Sequence, residues 1–203
     1  MKRVGIVCMT HSDLKQGHFT STNKSEYKFR DARQLRTMSE LQRLTTEYVE
    51  TEDRIRISGE LASGETVVMW LSQRLLLRLL PHLFLWLEKQ SNDNIPMEIE
   101  QSFAQEAAKA DLSAEAPVER QEGSQEWLVE AVDLSPNKDA LATRFRSQSG
   151  QFVQITLQAQ PLRQWLEILF SLWQLAEWPN SVWPEWMAEK NPSQESPRLS
   201  TLH

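Results

Sequence analysis

The sequence predicts an α+β protein: two pseudo-repeated strand–β-hairpin–helix units, with an antiparallel sheet covered by two amphipathic helices. Three observations lead there. Alternating apolar runs flank a Ser-Gly turn in two places. A Leu-rich stretch of helical period follows each hairpin. The two segments also match without a gap at a shift of 86 positions.

The chain has 203 residues, enough for one domain or two small ones with a real core. Residues 1–37 carry eight Lys/Arg against three Asp/Glu, a net of +5, while the whole chain sums to −6. This segment lacks a sustained apolar period and reads as a disordered basic extension, with Met38 a candidate first residue. A basic arm that binds an acidic partner is the alternative. The folded pattern begins after Met38, and the first unit spans 38–89.

In that unit, residues 42–51 suit a leading strand. Ile55 and Ile57 alternate with Arg54, Arg56 and Ser58, and Val67, Met69 and Leu71 alternate after Ala62-Ser63-Gly64. Residues 53–71 therefore predict a hairpin, and Ser72 can cap the helix that follows. In VVMWLSQRLLLRLLPHLFLWLEK, residues 67–89, Arg74, Arg78, His82 and Lys89 share one narrow stripe. Leu76, Leu80, Leu83, Phe84 and Leu87 share the broad opposite side. A bilayer span needs about 20 largely uncharged residues, so this is an amphipathic helix and no membrane contact is expected.

Residues 90–125 hold eight acidic residues against Lys109 and Arg120, which predicts a solvated acidic linker. Within it, Met97, Ile99, Phe103 and Ala107 can form one short helix. The second unit spans 126–178. There WLVEAVDLS supplies the leading strand, Ser149-Gly150 the turn, and Leu162, Leu166, Leu169 and Phe170 the helix. Pro161 suits its first turn, where a backbone N–H has no helical acceptor. Residues 179–203 form a Trp/Pro-containing tail with a disordered end; Trp178, Trp183 and Trp186 either fold back as core or form a partner-binding patch.

Catalytic motifs are weak. The six glycines spell no G-x-G-x-x-G and no phosphate loop. Cys8, His11 and His18 lack a fourth ligand, so neither metal nor cofactor is expected, and His82 reads as a solvated or packing histidine. One cysteine permits no intrachain disulfide and suits a reducing, cytoplasmic setting. Glu52 and Asp53 at a strand start are the best acid/base candidates, although such residues more often pair with nearby arginines. Arg54, Arg56, Arg144 and Arg146 alternate along two strands. On one exposed face they would form a basic stripe for an acidic peptide, RNA or, least demandingly, the chain's own linker.

The run EDRIRI followed by WLSQRL resembles an uncharacterised bacterial, proteobacterial protein family in which E-D-R leads through a hairpin into W-L-[ST]-x-R. The residues concerned are Glu52, Asp53, Arg54, Trp70, Leu71, Ser72 and Arg74. With QWLEIL and AEW, the resemblance covers residues 45–178. That family has no established activity, so the resemblance implies no functional residue.

The leading expectation is a non-enzymatic interaction or adaptor protein that meets a protein partner or forms a homodimer. Alternatives are an enzyme with a pocket using Glu52 or Asp53, and a nucleic-acid module using the arginine face. An acidic pI near 5.3 disfavours the last.

Overall fold

The structure, a computed structural model, describes residues 4–7, 40–91 and 95–187. It is a mixed α+β fold with two sheets. β1 (Val4–Val7), β2 (Leu41–Val49), β3 (Arg54–Leu61), β4 (Thr66–Ser72) and β5 (Gln125–Leu128) lie side by side in that order. β6 (Ala131–Pro136), β7 (Ala140–Arg146) and β8 (Phe152–Gln158) form the second sheet. The helices are α1 (Gln73–Glu88), α2 (Met97–Ala110) and α3 (Ala159–Leu175).

Local chemistry explains most boundaries. Gly64 and Gly150 turn their hairpins at φ 82° and 85°, a region closed to most side chains. The Ser72 hydroxyl accepts the Leu75 N–H at 3.3 Å and starts α1. Pro81 lies inside α1 but on its exposed side, so the helix runs through it. Between β3 and β7, β4 and β8, and α1 and α3, the first residues are 86 positions apart in each case.

Pairings within the hairpins are antiparallel, but β5 joins β4 in parallel through Val68↔Glu126. Val129 extends that seam by donating to the Trp70 carbonyl at 2.9 Å, and Glu130 then donates to Arg146 at 2.8 Å. The predicted leading strand of the second unit is therefore broken into β5 and β6, because its two halves serve different sheets. A second parallel contact, Glu40↔Gln154, joins β2 to β8.

One continuous core fills the space between sheets and helices. Leu44, Ile57 and Met69 from the first sheet meet Leu76, Leu80, Leu83, Phe145, Ile155, Trp165 and Trp173. The helix α3 packs on β2 and β8, and α1 packs on β4 and β6. The Trp165 indole donates to Thr46 Oγ1 at 3.1 Å while its ring meets Phe145 edge-on at 6.3 Å. Gly59 on β3 leaves room for the Leu41 side chain, which is fully buried where a Cβ would stand. Gly59→Ala is expected to cost about 1–3 kcal/mol through overpacking. Urea denaturation checks it, and an unchanged midpoint would mean that Leu41 swings clear at no cost.

Three expectations need correction. The extension 1–37 is not unstructured throughout, because the backbone of β1 pairs antiparallel with β2, Val4 opposite Thr46. The rest of that extension from residue 8, with Met38, and the chain end after Met187 lie outside the described residues. The acidic linker is not a free connector either. It contains α2, then crosses the first sheet, where the Val118 N–H bonds Thr45 Oγ1 and Arg43 bonds the Ala116 carbonyl, both at 2.8 Å. The third concerns only the partner-patch alternative for the tail, since its reading as core agrees with the structure. Trp178 and Trp186 are each only 7% exposed, so they are core, not a patch open to a partner. Trp183 is half-buried between Phe84 and Phe170, with ring centroids at 5.5 and 5.0 Å. The Phe170 ring meets Trp183 edge-on, a geometry that gives more than area alone and helps the Pro-broken tail lie down on the helices.

Candidate functional site

The strand period directs Ile55 and Ile57 into the core, so Arg54 and Arg56 emerge on the other side of β3. Arg56 is held by the buried Glu47 carboxylate at 2.6 Å and lies 5.6 Å over the Trp70 ring. Arg144 and Arg146 belong to the other sheet. Arg144 donates to Gln154 at 3.3 Å and covers Phe152, and Arg146 grips Asp133 with two bonds of 2.6 and 3.1 Å. That bond from Arg146 holds the Asp133 carboxyl below its ordinary range. The predicted common basic stripe is thus not formed: the four arginines occupy two sheets, and carboxylates on neighbouring strands neutralise Arg56 and Arg146. The linker does cross the first sheet, but Arg43 and Thr45 bind it through backbone groups, with Arg120 tied to Glu126 at 2.8 Å.

Asp53 closes a 3-10 turn in left-handed backbone, φ 48°. Its Oδ1 accepts both the Tyr48 hydroxyl and the Trp178 indole N–H at 2.9 Å, and the two rings meet edge-on at 5.7 Å. Asp53 therefore fastens the tail to β2, although it is exposed like Glu52 beside it. Asp53→Ala is expected to cost about 1–2 kcal/mol, chiefly by taking the acceptor from the part-buried Trp178 indole, since water reaches the Tyr48 hydroxyl. Asp53→Asn keeps an acceptor and tolerates the left-handed backbone, so it should stay within about 1 kcal/mol of wild type. Thermal melts of both variants separate this anchoring role from an acid/base role.

A cavity of about 520 Å³ opens where the two hairpin turns converge. Leu61, Val67, Trp127, Phe152 and Val153 supply apolar walls, and Glu65 and Glu122 supply carboxylates. The indole N–H of Trp127 has no hydrogen-bond partner. Such a space can receive a small amphiphile. A polar recess of about 180 Å³ lies beside Glu47 and Arg56 under the linker. Neither contains Glu52 or Asp53. His82 is exposed on α1. Among the described residues no three or more His, Cys, Asp or Glu side chains gather as a metal site, and no helix is long and apolar enough to cross a membrane. Cys8, His11 and His18 lie outside the described residues.

The most unusual feature is α2, which faces the wrong way for a surface helix. Its buried residues are Gln101, Gln105 and Ala108, while Ile99 is 49% and Phe103 73% exposed. The inward side is mainly polar chemistry. Gln101 Nε2 donates to the Leu87 carbonyl at 3.1 Å, and its Oε1 accepts from Arg163. Gln105 donates to the Arg163 carbonyl and to Glu167, each at 3.2 Å, and Lys109 closes the set on Glu167 at 3.1 Å. Burial pushes the Arg163 guanidinium down to about 10, with Glu100 opposing. The spacings 101/105 and 163/167 carried this signal, since i,i+4 polar pairs on two helices can face one another.

Comparison of the chain with protein-family models, curated proteins and solved structures finds no match.

Proposed function

We propose that this chain is a non-enzymatic protein-interaction or adaptor protein, and that α2 is its docking element. The observation that carries the reading is the outward apolar side of α2. Ile95, Met97, Ile99 and Phe103, exposed by 50, 40, 49 and 73%, follow one another along a single short segment. Isolated exposed apolar residues are ordinary, whereas three on an element that buries glutamines, with Ile95 just before it, are a contact surface awaiting its cover.

In this reading the body is a pseudo-symmetric pair of repeats that holds α2 in place, with each helix covering strands of both sheets. Equal spacing of the hairpins and helices supports it. So does the pair of parallel contacts: adding 86 to Val68 and removing 86 from Glu126 turns one contact into Gln154↔Glu40. The single cysteine and acidic charge suit a cytoplasmic protein, and membership of the E-D-R-I…W-L-[ST]-x-R bacterial family remains part of the same proposal.

Affinity capture of the full chain tests the reading, with wild type compared against an Ile99→Glu/Phe103→Glu variant. Chains specifically held by wild type, including copies of itself, are expected to be lost from the variant. Identical associations in both would overturn it. The cavity favours a second reading, a small-molecule binder. Fragment titration followed by the Trp127 indole proton would reveal a ligand there, and an unmoved resonance would remove the idea.

A further inference from the structure

The reading of α2 as a docking element leaves its partner open, and the helix itself narrows the choice. We infer that α2 packs antiparallel against α2 of a second copy of this chain, with the two Phe103 rings near a two-fold axis. This rests on the proposal that α2 is an interaction surface.

Three features of the helix favour its own copy. The first is shape. The exposed stripe runs Ile99, Phe103, Ala107, Ala110, at helical spacings of four, four and three. It is bulky toward the N-terminus, where Ile95 just ahead of the helix adds to it, and nearly flat toward the C-terminus. A wedge of this form fits a reversed copy of itself. Around a two-fold at Phe103, Ile99 lies over Ala107 of the partner subunit, and thick ends meet thin ends throughout. A parallel pair would set Ile99 against Ile99 and leave a gap between the alanines.

Charge is the second feature. Glu98 and Glu100 occupy the first turn and Lys109 the last. Reversal brings Lys109 of one chain toward Glu98 of the other, while a parallel pair stacks like charges. Lys109 keeps its intrachain bond to Glu167, so it supplies register more than affinity.

Area is the third. The exposed parts of Ile95, Ile99 and Phe103 amount to roughly 300–400 Å² per chain, given about 150–250 Å² for an aromatic side chain. Two such faces with the alanine flanks stay below about 1,200 Å², the size of a weak contact between copies. Closure on itself through a two-fold consumes the whole apolar stripe, which a heterologous contact would leave partly open. The result is a dimer of modest affinity, about micromolar.

Sedimentation equilibrium of the full chain over a concentration series reads the oligomer directly. Mass should rise toward that of two chains, whereas Phe103→Glu should stay monomeric with an unchanged circular dichroism spectrum. A cross-linking pair then reads orientation in a Cys8→Ser background. Chains carrying Ile99→Cys should form disulfides with chains carrying Ala107→Cys. Ala107→Cys alone should not cross-link, because its two copies would stand about 12 Å apart at 1.5 Å per residue, beyond disulfide reach. A monomer at every concentration would overturn the inference. A dimer that survives Phe103→Glu would do so too, as would self-linked Ala107→Cys. If wild type is monomeric but still captures other proteins that the Ile99→Glu/Phe103→Glu variant loses, the docking role of α2 stands and only self-pairing fails.

Discussion

Trp165→Ala is expected to lower the unfolding free energy by about 3–5 kcal/mol, the range for emptying a fully buried tryptophan site. For a protein of this length the melting temperature should fall by roughly 10 °C. The residue is 1% exposed on α3, packed edge-on to Phe145 and hydrogen-bonded to Thr46 on β2. It thereby joins a helix that follows one hairpin to the leading strand of the other, so its loss weakens the contact between the two halves and not only one of them. Smaller changes separate packing from polarity. Trp165→Phe keeps a ring but leaves the Thr46 hydroxyl, 1% exposed, without its donor, which should cost about 1–3 kcal/mol. Thr46→Val strands the indole N–H instead. Combining Trp165→Phe with Thr46→Val should cost less than the sum of the two, by about 0.5–1.5 kcal/mol, since neither group is then unpaired. Strict additivity in urea denaturation would show that the hydrogen bond contributes nothing and that packing is the whole tie.

Local signals in the sequence were sufficient for the elements themselves. Glycine at a positive-φ turn, serine at a helix start and apolar residues at period two or 3.6 each report a constraint settled within a few residues. Hence Gly64, Gly150, Ser72 and the two Leu-rich helices were legible. What depended on distant partners was not. The alternation of Arg144 and Arg146 says that they leave one side of a strand, but Asp133, which neutralises Arg146, arrives from β6 by register alone. Periodicity likewise shows that Ile99 and Phe103 share a side of a helix and is silent on which side turns inward. For α2 that choice was made by Arg163 and Glu167, 62 positions away from Gln101 and Gln105. The tryptophans of the tail present the same ambiguity: their number signals large apolar area, and only the three-dimensional path between Phe84 and Phe170 decides that the area is internal.

Gln101→Ala should be the more damaging change at the α2–α3 contact, at about 2–4 kcal/mol, and Arg163→Met the milder, at about 1–2 kcal/mol. The asymmetry follows from where the charge stands. Arg163 is 6% exposed, its Nη1 has no acceptor, and its Nη2 relies on the Gln101 carbonyl oxygen. The guanidinium lies 5.6 Å over the Trp186 ring, a partner too weak to replace water. Its folded pKa near 10 is below that of the unfolded chain but far above neutrality, so the group is charged in both states at pH 7. The burial cost is then present in full, and it shrinks only as pH rises through 10 toward the ordinary guanidinium range, where the unfolded chain alone still holds the proton. Removing Gln101 leaves that charge buried with even less help. Removing the charge with an unbranched apolar side chain ends the cost, while Gln101 keeps its bond to the Leu87 carbonyl. Arg163→Met still leaves the buried Gln101 Oε1 without its donor, so it should cost about 1–2 kcal/mol, whereas a Gln101→Leu/Arg163→Met pair removes both groups and should recover most of the loss seen for Gln101→Ala. Should Arg163→Met unfold as early in urea as Gln101→Ala, the guanidinium would be contributing net attraction, and the polar side of α2 would be held by charge instead of tolerating it.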